Sequence, residues 1–211
     1  MKTINLVISG PATVGKSRLL KYCTQRHTDL RRGVSHTTRP LRTGETNGKD
    51  YHFISEDHFK KLSAQDDFAF YKMNSIGNYY GILHQEIEIP ESTNYLGTLL
   101  DLDPDGFQHL KRTYKNVVGV YLLPRSVKNV EDRLRERYHL KLNRQSEEFN
   151  HKLILSIDSL KHAIEYDYVL YNDKIISVAH KIHQICEIHA FCLEKEDVKQ
   201  WIKMQIGENI L

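Results

Sequence analysis

The sequence predicts an α/β fold in which layers of helices cover a parallel sheet. Short apolar runs alternate along the chain with segments of helical character. The first apolar run leads through a glycine-bearing turn into a helix, which is typical of the opening βα unit of a doubly wound sheet. The length of 211 residues suits one compact domain with small appendages.

Four runs of apolar residues are predicted as strands. Each is short and bounded by turn residues, as expected of a strand that is buried on both faces. They lie at residues 4–9, 96–102, 117–123 and 166–171. The polar segment 34–55 is predicted to be rich in turns, and the aromatic segment 68–83 to contain a turn.

The helices are predicted from apolar residues on one side. In the first, from Ser17 to about Gln25, these are Leu19, Leu20 and Cys23. Ser55 is placed to cap the second helix. Further helices are predicted at 56–65, 126–137, 149–165 and 175–206, with a break near Ala190 as an alternative for the last.

Charge and cysteine content favour an intracellular protein with small ligands. The formal net charge of +3 is compatible with polyanionic small molecules and does not by itself indicate nucleic acid. The three cysteines, Cys23, Cys186 and Cys192, match no zinc or redox spacing, so we expect reduced thiols in a cytoplasmic protein. We expect no signal peptide and no membrane span, because no apolar run approaches ~18 residues. The scattered histidines are expected to be solvated or structural.

A phosphate-binding motif follows the first predicted strand. Residues 10–17, GPATVGKS, match G-x-x-x-x-G-K-[ST] between a strand and a helix. Its glycines let backbone N–H groups surround a phosphate, and the helix directs its positive end at the same anion. Lys16 would reach the β- and γ-phosphates, and the Ser17 hydroxyl would bind Mg²⁺. We expect ATP and Mg²⁺ as cofactors, with ATP held by Gly10, Ala12, Thr13, Val14, Gly15, Lys16, Ser17 and Arg18. A chance glycine turn is the alternative.

A second candidate anion site lies at residues 34–53. Arg39 and Arg42 stand on either side of Pro40, and arginines in an ordered loop suit bidentate capture of a phosphate. Tyr51 can add a hydroxyl donor. The residues alone do not separate this interpretation from a solvated basic loop.

This segment resembles the nucleoside-monophosphate site of guanylate kinases, whose signature is S-x-T-T-R-x-x-R-x-G-E-x-x-G-x-D-Y. The match begins at Ser35 and ends at Tyr51. Other matching segments follow in family order, so the resemblance covers about residues 4–185. They are GNYYG at 77–81, D-x-D-x-x-G at 101–106, Leu122-Leu123-Pro124, the Arg133/Arg137 helix and residues 165–173.

The resemblance implies a P-loop NTPase-type, three-layer parallel sheet with an acceptor-binding insertion and a short lid. The core would span about 1–33, 89–130 and 156–211, the insertion about 34–88 and the lid about 131–155. The resemblance also implies ATP- and Mg²⁺-dependent phosphoryl transfer to a nucleoside monophosphate, GMP to GDP. It implies the catalytic residues Lys16, Arg133 and Arg137, and the acceptor-binding residues Ser35, Arg39, Arg42, Tyr51, Tyr80, Asp101 and Asp103, of which Asp103 would help to read the guanine edge.

The family's guanine-reading glutamate has no counterpart here. The aromatic stretch 68–76 contains no acid and is about one residue longer than usual. Counting forward from Phe68 places Phe70 at the glutamate position, whereas counting back from Gly77 places Tyr71 there. A guanine donor left without a partner would cost ~1–3 kcal/mol per bond, so we predict altered base selection.

Further departures affect the base site and the lid. Ile82 replaces a small hydroxyl residue, Lys152 is the loose counterpart of a second lid arginine, and residues 138–143 lack the usual glycine. An alternative to altered selection is that another acid folds into the vacant place. The candidates are Asp66, Asp67, Glu86 and Glu88.

Two other functions remain open at this point. One is a kinase of the same fold acting on another phosphorylated acceptor, such as a modified purine monophosphate or a ribose bisphosphate. The other is a non-catalytic module resembling the guanylate-kinase-like domains of scaffold proteins, which Lys16 and Ser17 weigh against. We expect small-molecule nucleotides as partners, no nucleic acid, no membrane, and a monomer or a homodimer.

Overall fold

The computed structural model describes residues 3–89, 93–138, 147–192 and 198. The predicted lid positions 139–146, and residues 193–197 and 199–206 of the last predicted helix, lie outside this range. Among the described helices, none has both the length and the apolar character needed to cross a bilayer.

The described elements alternate between strands and helices along most of the chain. The strands are β1 Ile4–Ser9, β2 Leu30–Arg32, β3 His36–Thr37, β4 His52–Phe53, β5 Phe68–Met73, β6 Tyr79–Leu83, β7 Gly97–Asp101, β8 Val117–Leu123 and β9 Tyr168–Tyr171. The helices are α1 Lys16–Arg26, α2 Glu56–Ala64, α3 His84–Ile87, α4 Pro104–Thr113, α5 Val127–Tyr138, α6 Glu147–Asp158 and α7 Ile175–Phe191, with a 3-10 helix at Ser159–Glu165.

A five-stranded parallel sheet in the order β2-β7-β1-β8-β9 forms the centre of the fold. The four predicted strands lie in it, shortened by a residue or two at β7 and β9. The edge strand β2 was not predicted, because Leu30-Arg31-Arg32 is not an apolar run. Because all five strands are parallel, the segments after β1, β7 and β8 leave from the same edge of the sheet, where open α/β sheets bind ligands.

Alternate side chains of β1 face two different cores. Leu6 and Ile8 pack with Leu20 of α1 and Ile182 of α7 on one side of the sheet. Val7 packs with α4 on the other side. A fully buried leucine, isoleucine or valine contributes about 1.5–3 kcal/mol. These two cores therefore fix the sheet edge from which the motif at residues 10–17 begins.

A smaller sheet in the order β4-β3-β6-β5 lies beside the main one. The predicted aromatic turn is a hairpin here, since β5 and β6 are antiparallel and a turn at residues 74–78 joins them. In this hairpin Phe70 lies opposite Ile82 and Lys72 lies opposite Tyr80, with a register irregularity between Phe68 and Phe70.

Helices are present in all five predicted regions, with two differences in extent, whereas α3 and α4 were not predicted. The Ser55 cap is confirmed, because its Oγ accepts a hydrogen bond from the His58 amide at 3.2 Å. The single helix predicted at 149–165 is wrong: α6 ends at Asp158 and a 3-10 helix follows. The Tyr121 hydroxyl donates to the carbonyl of Ser159 at 2.6 Å, which competes with an α-helical bond at that carbonyl. The helix α7 ends at Phe191, near the predicted break.

Candidate active site

A cleft of about 1280 Å³ opens at the carboxyl edge of the parallel sheet. One wall is the loop between β1 and α1, and the opposite wall comes from the small sheet and its loops. The start of α7 and the α5 helix complete the lining. Both predicted anion sites therefore face a single space.

Both motif glycines in the loop after β1 are required by close contacts. Gly10 has φ +151°, and a Cβ atom there would lie 2.7 Å from the backbone oxygen of Leu122. Gly15 has φ +104°, and a Cβ atom would lie 2.8 Å from Nδ2 of Asn172. That same amide donates to the Val14 carbonyl at 2.7 Å, so Asn172 holds the loop from outside the motif.

The positive end of α1 points into the loop. The helix begins at Lys16 and has no acidic residue in its first turn, so its N-terminal dipole is uncompensated. The Lys16 ammonium donates to the carbonyls of Gly10 at 2.8 Å and Pro11 at 3.3 Å, which holds it against the loop. Backbone amides, helix dipole and ammonium together form an anion site.

Two oxygen donors lie beside this loop. The Ser17 hydroxyl is 3.4 Å from Oδ2 of Asp101, the last residue of β7. Octahedral Mg²⁺ binds oxygen at 2.0–2.1 Å and keeps several waters, so adjacent ligands are roughly 3 Å apart. The pair therefore fits two neighbouring ligand positions of Mg²⁺. Asp101, predicted as an acceptor residue, lies on the donor side of the cleft.

The predicted catalytic arginines extend from α5 toward the same loop. Nη1 of Arg133 donates to the carbonyl of Val14 at 3.1 Å and lies 3.5 Å from that of Thr13. Arg137 lies four residues further along the helix and also lines the cleft. The structure thus brings Lys16, Arg133 and Arg137 together.

Arg39 is the most buried cation of the acceptor side, with 7% of its surface exposed. Its guanidinium makes a two-pronged contact with Glu45, at 2.8 and 2.9 Å. It lies over the rings of Tyr51 at 5.5 Å and Phe53 at 5.3 Å. Burial works to lower the pKa of Arg39, but the hydrogen bonds that it donates to Glu45 and the electrostatic effects of Glu45 and Tyr80 together outweigh burial, so the pKa is raised and the charge is kept.

Glu45 is a functional candidate to which the sequence analysis assigned no role. Besides Arg39, its carboxylate accepts a hydrogen bond from the Arg42 amide at 2.8 Å. Burial works to raise the pKa of Glu45, but the hydrogen bonds from Arg39 and the Arg42 amide, together with the positive charges of both arginines, outweigh burial and lower the pKa. The sequence could have indicated this role, because the signature of the family contains a glutamate at this position, three residues after Arg42.

The remaining predicted acceptor residues divide between the cleft and its surroundings. Arg42, Tyr51 and Tyr80 line the cleft. The rings of Tyr51 and Tyr80 have centroids 5.9 Å apart, and burial raises the pKa of the Tyr51 hydroxyl. Ser35 is only 8% exposed and is not part of the lining.

Asp103 is engaged elsewhere, although it was predicted to read guanine. One carboxylate oxygen caps α4 by accepting from the Gly106 amide at 3.0 Å. The other forms an ion pair with Lys72. Neither Asp103 nor Lys72 is part of the cleft lining.

The hairpin separates the two positions that the sequence left open for the missing glutamate. Phe70 faces α4, where its ring lies 5.3 Å from His109 and close to Gly106. Tyr71 faces the other way, beside Phe59, and is 46% exposed. Phe70 is therefore the residue that points toward the core sheet.

Glu86, one of the acids considered as a replacement, is held at another place. Its carboxylate pairs with Arg31 at 3.0 Å and accepts from the Val34 amide at 3.2 Å. Lys152 lies on α6, outside the cleft lining. The cleft also has lining residues to which the sequence analysis assigned no role, namely Arg32, Asp50, Glu136, Asp173, Lys174, Ile175, Ile176 and Ser177.

Known proteins resemble this chain over nearly its whole length. The sequence model of the guanylate kinase family matches residues 2–189. A guanylate kinase of Pseudoalteromonas translucida is 34% identical over 194 residues, which cover 92% of this chain and 91% of that protein. A guanylate kinase of Baumannia cicadellinicola is 35% identical over 171 residues, covering 79% and 81%.

The fold comparison agrees with the sequence comparison. The crystal structure of guanylate kinase from Anaplasma phagocytophilum aligns with a TM-score of 0.73 at 24% identity, covering 98% of this chain and 96% of that one. The five-stranded parallel sheet with its flanking helices is thus the P-loop NTPase fold of guanylate kinases. The chain belongs to the guanylate kinase family and is a nucleoside monophosphate kinase.

Proposed function

We propose that this protein transfers the γ-phosphoryl group of ATP to GMP, giving ADP and GDP, with Mg²⁺ bound beside the P-loop. The observation that supports this most is that Lys16 and Arg39 line the same cleft from opposite walls. Each belongs to a separate anion site, as transfer between two phosphates requires.

The loop after β1 would hold the donor. Its amides and the N-terminus of α1 would bind the β-phosphate, and Lys16 would leave the Gly10 carbonyl to bridge the β- and γ-phosphates. Ser17 and Asp101 would hold Mg²⁺, which neutralises charge on the donor phosphates when bound. These groups stabilise the charge that shifts toward the leaving β-phosphate oxygen.

Arg39 and Arg42 would hold the acceptor phosphate. The Nε atom of Arg39 is buried and has no hydrogen-bond partner within the described part of the chain. A buried donor without a partner costs about 1–3 kcal/mol, which an acceptor phosphate oxygen would offset. Tyr51 and Tyr80 add hydroxyl groups to the same wall.

In the proposed reaction, an oxygen of the acceptor phosphate forms a bond to the γ-phosphorus. The bond from that phosphorus to the β–γ bridging oxygen breaks, and the electron pair stays on ADP. Two anions must approach each other for this to happen, so cations between them lower the barrier. Arg133 and Arg137 line the cleft on the donor side and would neutralise the phosphoryl group in transit.

A different phosphorylated acceptor is the second candidate. Phe70 and Ile82 lie opposite each other on the hairpin, and neither side chain carries a polar group. A base that depends on hydrogen bonds at these positions would lose them. Binding of the acceptor phosphate by Arg39 and Arg42 would not depend on the residues at positions 70 and 82.

An acceptor panel tests the proposal. ADP release from ATP and Mg²⁺ is measured by coupled assay with GMP, other purine and pyrimidine monophosphates, and ribose phosphates. Turnover with GMP that requires Mg²⁺ supports the proposed function. Turnover only with a phosphosugar would favour the second candidate, and no ADP release with any acceptor would refute both.

A further inference from the structure

Three side chains that can bind a metal ion meet near the end of α1 that is remote from the P-loop. They are His27, Asp29 and His183, and their ligating atoms all lie within 4.8 Å of one another. His27 directly follows α1, Asp29 precedes β2, and His183 lies in α7. A helix rises about 1.5 Å per residue, so the 11 residues of α1 separate this group from the P-loop by about 16 Å. None of the three belongs to the lining of the cleft.

Backbone hydrogen bonds fix the segment that carries His27 and Asp29. The His27 amide donates to the Cys23 carbonyl at 2.8 Å, and the His27 carbonyl accepts from the Leu30 amide at 3.1 Å. The Asp29 carbonyl accepts from the Leu96 amide at 2.8 Å, which ties this segment to the start of β7. The third member of the group lies on α7, which shares a buried core with α1. An ion bound here would therefore need to order side chains only.

His183 and Asp29 already have the spacing of two ligands on one ion. Nε2 of His183 lies 2.9 Å from Oδ2 of Asp29. Zn²⁺ binds nitrogen and oxygen at about 2.0–2.2 Å, so two neighbouring ligands are roughly 3 Å apart. Nδ1 of His183 lies 3.4 Å from Oε2 of Glu187. A carboxylate at the second nitrogen is a common partner of a metal-binding histidine, so Glu187 is placed to orient the ring with Nε2 toward the ion.

His27 offers an imidazole nitrogen that is otherwise unused. Its Nε2 atom is buried and has no hydrogen-bond partner in the part of the chain that the structure describes. The ring stacks on that of His183, with centroids 4.1 Å apart and an angle of 17° between the planes. Burial lowers the pKa of His27 and His183 adds to this effect, which favours the neutral ring that a metal requires. Coordination would give this nitrogen the partner that it lacks.

We propose that His27, Asp29 and His183 bind one Zn²⁺ ion, with the fourth position left to water. Two imidazole nitrogens and a carboxylate oxygen suit Zn²⁺, whereas Mg²⁺ prefers an octahedral set of oxygen ligands. Mg²⁺ that accompanies ATP would therefore not compete for this site. The ion would join α7 to the end of α1, two helices whose first residues, Lys16 and Ile175, line the cleft. This inference does not rest on the proposed function.

Calorimetric titration of the untagged protein with ZnCl₂, in excess MgCl₂, tests the proposal. We expect saturable binding of one Zn²⁺ ion per chain. The thermal melting temperature should rise by about 5–10 °C when free Zn²⁺ exceeds the measured Kd about 100-fold. Absence of saturable binding, or an unchanged melting temperature under these conditions, would overturn the proposal.

Two substitutions that keep the shape of the side chain remove one ligand each. His27→Phe keeps an aromatic ring to stack on His183 but deletes the ligating nitrogen. Asp29→Asn keeps the size of the carboxylate but removes its charge. Each should raise the Kd for Zn²⁺ at least about 100-fold, because loss of even an outer partner of a ligating histidine costs about 10–100-fold. Glu187→Gln removes such an outer partner and should raise the Kd about 10-fold.

A matched control and a direct location of the ion complete the test. His151→Phe, at an exposed position of α6, removes a histidine outside the group and should leave the Kd unchanged. An unchanged Kd in either His27→Phe or Asp29→Asn would show that the ion binds elsewhere. Diffraction data from crystals grown with ZnCl₂, collected on both sides of the zinc absorption edge, locate the ion. An anomalous peak between the three side chains supports the proposal, and a peak only at another place overturns it.

Discussion

Glu45 grips the guanidinium of Arg39 with both carboxylate oxygens, at 2.8 and 2.9 Å. Such a fork fixes the plane of an arginine as well as its position. Glu45 also holds the backbone of Arg42, so one carboxylate orients both arginines of the acceptor wall.

Replacing this carboxylate should weaken acceptor binding. In Glu45→Gln the amide can accept one bond at most in the fork, and Arg39 loses its fixed orientation. We expect KM for GMP to rise about 10-fold, equivalent to 1.4 kcal/mol, with KM for ATP unchanged. Initial rates at varied GMP and ATP measure both. An equal rise in the two constants would contradict a role confined to the acceptor wall.

Removing the Lys16 ammonium should act on the rate and not on the fold. Lys16→Met keeps the length of the side chain but deletes the charge that the proposed transfer needs, so kcat should fall at least about 100-fold. Thermal melting by circular dichroism should be within a few degrees of wild type. Lys21→Met, at an exposed position of the same helix, is the control and should retain full activity.

The magnesium requirement should depend on the hydroxyl at position 17. Ser17→Ala removes one of the two oxygen donors beside the P-loop, so the Mg²⁺ concentration for half-maximal rate should rise about 10-fold. Ser17→Thr keeps a hydroxyl and should behave like the wild type. If the alanine variant shows an unchanged Mg²⁺ dependence, Ser17 does not bind the ion.

Stability should decline on the acid side because of His36. Burial lowers the pKa of His36 from 6.5 to about 4, and the nearby His52 and His58 contribute in the same direction. A lowered folded-state pKa means that the unfolded chain takes up the proton first as the pH falls. The free energy of unfolding should therefore decrease between about pH 6.5 and pH 4, by on the order of 3 kcal/mol.

Urea unfolding at several pH values measures this loss. His36→Phe removes the titrating ring, keeps an aromatic ring beside His52 and leaves no buried Nδ1 atom without a partner. Its unfolding free energy should vary less over the same range. His151→Phe, at an exposed position of α6, should keep the wild-type slope. A steep acid-side slope in His36→Phe would assign the effect to another group.

The features that could be predicted from the sequence are those that a local pattern of residues determines. The P-loop is contiguous, so its glycines, Lys16 and Ser17 could be assigned from order alone. The strands of the large sheet could be found because they are apolar runs, whereas β2 could not, since two of its three residues are arginines. The 3-10 helix after α6 begins at Ser159, whose carbonyl accepts a hydrogen bond from Tyr121, 38 residues away in the chain.

Which of Phe70 and Tyr71 faces the core could not be predicted from the sequence, because it depends on the strand register. Counting along the sequence left Phe70 and Tyr71 equivalent, and only the pairing of Phe70 with Ile82 shows which one faces the core. The contact of Lys72 with Asp103 joins β5 to the N-cap of α4, and no spacing rule indicates it. Glu45 is part of the signature, but its two-pronged contact with Arg39 could be identified only from the structure of the folded loop.

The central claim is that a donor site at Lys16 and an acceptor site at Arg39 face each other across one cleft. Calorimetric titration with a bisubstrate compound, adenosine and guanosine joined by five phosphates, tests this directly. A ligand that spans both sites should bind at least about 100-fold more tightly than ATP or GMP alone and should exclude both. Binding no tighter than that of ATP, or exclusion of ATP without exclusion of GMP, would contradict the claim.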